Sequence, residues 1–79
     1  MIAKIYNRNE SQLCVVKDFS EGEYQMVFHF QLDKNISMKT TIDYHSKDLR
    51  DNAFNSFGEK EADQVIQDMT EQIVDNFNQ

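Results

Sequence analysis

Three side chains of this 79-residue chain are of the types that most often do chemistry near neutral pH: one cysteine, Cys14, and two histidines, His29 and His45. A thiol or serine hydroxyl becomes a nucleophile when an imidazole takes its proton and a carboxylate orients the ring. Such partners meet in space rather than along the chain, so spacing alone does not decide whether they form a triad. Each candidate hydroxyl, at Ser11, Ser20, Ser37, Ser46 and Ser56, falls in a turn, a helix cap or a solvent-facing strand position of the elements that the sequence supports. Zinc sites draw on close pairs such as Cys-x-x-Cys or His-x-x-x-His, and Cys14, His29 and His45 show no such spacing. The two glycines, Gly22 and Gly58, lie too far apart to build a loop that cradles phosphate. The expectation is a protein that is not an enzyme, with no catalytic residue, cofactor or metal. A deep pocket uniting a histidine with Asp43 and with Cys14 or a serine would reverse it.

The elements that position these groups read as strands first and helix afterwards, the segregation of an α+β domain. Residues 2–6 and 13–16 are short strand candidates separated by the polar turn formers 7–11, and a second turn surrounds Gly22. Residues 24–32 alternate, with Tyr24, Met26, Phe28, Phe30 and Leu32 on one face, and residues 36–44 repeat the pattern with Ile36, Met38, Thr40, Ile42 and Tyr44. A three-residue loop at 33–35, with Asn35 left-handed, pairs Leu32 with Ile36, Phe30 with Met38, Phe28 with Thr40, Met26 with Ile42 and Tyr24 with Tyr44. All these apolar residues then share one face, whereas a one-residue slip would split them between core and water. The opposite face, with His29 beside Lys39, is wet, and the apolar face needs a cover.

Residues 46–57 supply a short helix with Ser46 as cap, Leu49, Ala53, Phe54 and Phe57 as its apolar side, and Gly58 as terminator. Residues 59–77 supply a long one. There Ala62, Val65, Ile66, Met69, Ile73 and Phe77 form a stripe about 120° wide, and about 28 Å of length would cross a four-stranded sheet. The expected architecture is one domain over residues 1–79: an antiparallel β-meander over 1–45, then a short and a long helix packed on one face of the sheet. Phe28, Phe30, Tyr24 and Tyr44 are core residues in this arrangement, not platforms for stacking bases.

Charge is distributed unevenly. Residues 1–58 hold eight acids against seven bases, whereas residues 59–79 hold six acids against Lys60 alone. Glu59, Glu61 and Asp63 open the long helix, where carboxylates favour the positive end of the dipole. Glu61, Asp68 and Asp75 recur every seven residues with Glu71 beside them, on the face opposite the apolar stripe. Asp68 with Glu71 and Glu71 with Asp75 are like-charge neighbours, each costing about 0.2 to 0.5 kcal/mol where a lysine would have helped. One reading is a solubilising face. The other is an acidic ridge, Glu61, Asp68, Glu71 and Asp75, that binds a basic partner protein.

A net charge of −6 disfavours direct binding to nucleic acid, whose affinity comes from cations on phosphate. No apolar run approaches a membrane span and the first residues lack a signal-peptide pattern, so a cytoplasmic protein without membrane contact is expected. Small size, acidity and the lack of a pocket motif are shared with phage and mobile-element proteins that block host enzymes, including anti-CRISPR proteins and DNA mimics. The likeness is one of habit, without a matching motif. It implies an inhibitor or modulator of a protein partner, such as a basic nucleic-acid-binding protein. The alternative is a small accessory protein that forms a homodimer or larger assembly through its sheet edges.

Overall fold

The structure is a computed structural model that describes residues 2–18 and 23–77. The turn expected around Gly22, with Ser20, lies outside the described residues. Strands β1 (Ile2–Arg8), β2 (Ser11–Asp18), β3 (Gln25–Gln31) and β4 (Ser37–Asp43) form one antiparallel sheet in the order β1-β2-β3-β4. The first hairpin turns on Asn9 and Glu10, with Arg8 paired to Ser11. Asn9 takes the left-handed conformation, φ 53°, which asparagine tolerates better than most residues. The Ser11 hydroxyl donates to the Arg8 carbonyl at 2.8 Å. Asn7, Arg8 and Ser11 thus join the ladder, and the first two strands run longer than their apolar residues alone indicate.

The register expected for β3 and β4 is the one observed. Phe30 pairs with Met38, Phe28 with Thr40 and Met26 with Ile42. The ladder extends to a Leu32 N–H donating to Ile36 and a Tyr44 N–H donating to Tyr24. The loop between them differs in detail. Asn35 is not left-handed, since Asn9 is the one non-glycine residue with positive φ among the described residues. Instead the Asp33 carboxylate accepts from the backbone N–H of Asn35 at 2.7 Å and of Ile36 at 3.0 Å, an Asx turn that closes the loop without left-handed backbone.

Helices α1 (Lys47–Ser56) and α2 (Glu59–Phe77) cover the apolar face. The core joins Tyr6, Leu13, Val15, Met26, Phe28 and Phe30 of the sheet to Phe54, Phe57, Ala62, Met69 and Ile73. Ser46 caps α1 as expected, its hydroxyl accepting from the Leu49 N–H at 3.2 Å. Four details of the expected packing change. Leu49 is exposed, and Arg50 is buried in its place, because the face of α1 that carries Phe54 also carries the residue four positions before it. Tyr24 is partly exposed and Tyr44 half-buried, so these rings edge the core rather than fill it. Phe77 is 69% exposed, leaving the apolar stripe of α2 one turn longer than its cover. Gly58 caps the start of α2 instead of ending α1: its carbonyl accepts from Ala62 at 2.9 Å, and its N–H donates to the Glu61 carboxylate at 3.0 Å.

The helix layer is held by cations from the first two strands. Lys4 lies on the covered face, and its ammonium donates to the carbonyls of Phe54 at 2.6 Å and Phe57 at 2.8 Å. It thereby supplies the positive charge that the last turn of α1 lacks. Lys17, which is buried where Lys4 is half-buried, reaches Asp51 of α1 at 3.3 Å, and Arg50 donates to the same Asp51 oxygen at 2.9 Å. Arg8 bridges Glu59 and, at 2.8 Å, Asp63 of α2. These contacts tie the helices to β1 and β2, and the far edge is left open: within β4 only Met38 is even half-buried. Among the described residues no helix is long and apolar enough to cross a membrane. Replacing Lys4 with Met leaves two carbonyls without their charged donor, and the expected loss is about 2 kcal/mol, or about 10 °C in melting temperature. Calorimetry of the variant checks it; an unchanged transition would show that Lys4 contributes no latch.

Candidate functional site

The acids of α2 fall into two sets. Glu59 and Asp63 face β1 and are taken up by Arg8. Hydrogen bonds to Asp63 and then Glu59 push the Arg8 guanidinium further above its ordinary pKa. Glu61, expected on a binding ridge, serves the fold first, because its carboxylate closes half of a capping box on Gly58. Hydrogen bonds from its own backbone N–H and from that of Gly58 hold its pKa below the usual glutamate value. The spacing Gly58-x-x-Glu61 ahead of an apolar run was the available signal for this role.

Asp68, Glu71 and Asp75 are exposed, and among the described residues no cation reaches them. Gln64 donates to Asp68 at 3.0 Å and Gln67 to Glu71 at 3.3 Å, each one helical turn earlier, which orients both carboxylates without neutralising them. The ridge is not wholly opposite the core. Glu61 and Asp68 sit on the β4 side of α2, at the rim of an apolar groove that the sequence pattern does not reveal. Its floor is built from Met26, Phe28, Ile42, Phe57 and Val65. One end, beside Tyr44, Glu61 and Gln64, is a shallow, open hollow of about 340 Å³. The other, beside Thr40, Asp68 and Gln72, is an open hollow of about 140 Å³. Phe28, Ile42 and Val65 line both ends and make the groove continuous.

The wet face brings together two residues that lie far apart in the sequence. Cys14 pairs with His29 across β2 and β3, and His29 pairs with Lys39 across β3 and β4. They line an open hollow of about 390 Å³ with Gln12, Gln31 and Ser37. A thiol beside an imidazole is the start of a nucleophilic pair, but no hydrogen bond joins the two among the described residues, and the carboxylate that could orient the ring is engaged elsewhere. Asp43 accepts from the Gln25 amide at 2.6 Å. His45 is exposed in the bend after β4, apart from this row. Among the described residues no group of three His, Cys, Asp or Glu could hold a metal ion.

No protein-family model, curated protein or solved structure matches the chain.

The lowered pKa of Glu61 fixes the sign of a pH effect. The unfolded chain takes up the proton more readily than the folded one, so the cap's contribution is present above the ordinary glutamate value and is lost as the pH falls through the lower folded value. Glu61→Gln should narrow the gap in melting temperature between neutral pH and a pH of about 3. Thermal melts of both proteins at the two pH values check this, and an undiminished gap would remove Glu61 from the acid response.

Proposed function

We propose that this chain is a non-catalytic binding protein that inhibits or modulates a basic protein partner through the outer side of α2. Asp68, Glu71 and Asp75 are the contact residues, with Glu61 at the end of the same ridge. The observation that carries the reading is the division of the acids: Arg8 engages Glu59 and Asp63, Gly58 engages Glu61, and the remaining three meet no cation among the described residues. Like-charged neighbours on one helix face are unfavourable in the free protein, and they gain a purpose when a cationic surface approaches. A rigid helix carrying regularly spaced carboxylates suits a protein groove that normally holds phosphates. An inhibitor of the DNA-mimic or anti-CRISPR kind is the specific form of this reading.

A second reading has its own support. Among the described strands β1 and β4 are the edges of the sheet, and exposed Ile5 lies on β1 while exposed Ile42 lies on β4. Strand pairing between copies would cover such edges and give a homodimer. Light scattering at high micromolar concentration separates the two, with a monomer expected from the first reading and a dimer or larger species from the second.

The direct test replaces Asp68, Glu71 and Asp75 together with lysine and uses native and variant proteins as bait in a cell extract. A basic protein held by the native chain should be lost from the variant, while the melting temperature stays level or rises because repulsion along α2 has been relieved. Equal retention by a folded variant would dismiss the ridge as a binding surface.

A further inference from the structure

We infer that the free edge of β4 and the groove beside it form a docking site for an extended segment of the partner, one whose groove-facing side chains are apolar and basic. The inference rests on the proposed function and adds where and how the partner is held.

Backbone geometry supplies the first part. In an antiparallel ladder, residues alternate between bonding the neighbour and facing away from it. Leu32 bonds Ile36 and Tyr44 bonds Tyr24 at the two ends of the β3–β4 pairing, so the even-numbered residues of β4 turn their N–H and C=O groups toward β3. Ser37, Lys39, Thr41 and Asp43 therefore turn theirs outward, along an edge that no other described strand covers. Natural edges are usually blunted by proline, a bulge or dense charge. β4 has no proline, pairs without interruption, and carries only Lys39 and Asp43 as charged residues.

The groove supplies the second part. A strand added at this edge would place alternate side chains on the helix-covered side of the sheet, beside Thr40 and Ile42. Ile42 is 39% exposed on that side and Val65 is only half-buried across from it, so apolar side chains would find apolar surface there. Charge then selects the occupant. Glu61 and Asp68 stand on the α2 rim, where the long stem of an arginine or lysine could lie over Val65 and bring its cation to a carboxylate. A second copy of this chain, paired through β4, would instead set two acidic α2 rims facing each other across a shared groove. Like charges so placed oppose association, and a foreign basic segment fits where the second copy does not.

The probe is a nine-residue peptide in which every second residue is threonine and the residues between alternate valine and arginine; a matched peptide carries glutamate in place of arginine. With isotope-labelled protein, the arginine peptide should slow hydrogen exchange at the outward amides of Ser37, Lys39 and Thr41, and the glutamate peptide should not. Thr41→Pro removes an outward N–H without touching the β3 ladder, and it should weaken binding at least about tenfold, as should Ile42→Lys. Should the proline variant fold poorly, Asp68→Lys on the exposed side of α2 tests the same site by reversing the preference between the two peptides. Arginine-peptide binding that needs Asp68, Glu71 and Asp75 but leaves the β4 amides unprotected would overturn strand docking while sparing the ridge. Equal binding of both peptides would overturn the charge selection on which both proposals rest. Protection of the β4 amides in the peptide-free protein, together with a dimer by light scattering, would assign the edge to a second copy.

Discussion

The governing constraint is that the sheet is one-sided. β3 and β4 send Met26, Phe28, Phe30, Met38 and Ile42 to the same face, and a sheet so built needs a second layer over it. The helices provide that layer, and what decides where they sit is a set of cations on the covered face itself. Lys4 grips the carbonyl end of α1, Lys17 meets Asp51, and Arg8 meets the first turns of α2. A buried lysine with no partner would be costly. Here Asp51 meets buried Lys17 and the last carbonyls of α1 meet half-buried Lys4, so burial and latching are one interaction. Burial alone would raise the pKa of Asp51, but hydrogen bonds from Arg50 and Lys17 outweigh it and hold the carboxylate below its ordinary value, charged and able to serve both cations.

Because every one of these cations lies on β1, β2 or α1, the cover is drawn to one side and β4 is left with its inner face open. The same lateral choice divides the acids of α2. Those turned toward β1 are taken up by Arg8, and those turned away stand on the outer face or at the rim of the groove, where Glu61 also caps the helix start. Binding surface and fold are thus two results of one placement: the helix that seals the core on one side borders an unsealed groove on the other.

How much of this could be read from the residues depended on range. The β3–β4 register was legible because Leu32 and Ile36 sit a few positions apart and only one loop length keeps all the apolar residues together. The Ser46 cap and the extent of α2 were legible for the same local reason. Arg50 and Lys4 were not, because a charged side chain reads as solvent-facing until its partners are known, and the carbonyls that hold Lys4 lie 50 or more positions along the chain. The Cys14–His29 pairing needed the β2–β3 register, whose connecting turn gives no comparable signal. The groove was hidden most completely. Periodicity shows which face of α2 is buried, but not where along the width of the sheet that face comes down.

The central claim is that the helix layer leaves the inner face of β4 open in the free protein. It is tested most directly by cysteine labelling in a Cys14→Ser background. Ile42→Cys should react with a water-soluble thiol reagent nearly as fast as Thr41→Cys on the wet face and far faster than the core variant Val15→Cys. Reaction of Ile42→Cys as slow as that of Val15→Cys would mean that the helices seal the whole sheet, and the open groove would have to be abandoned.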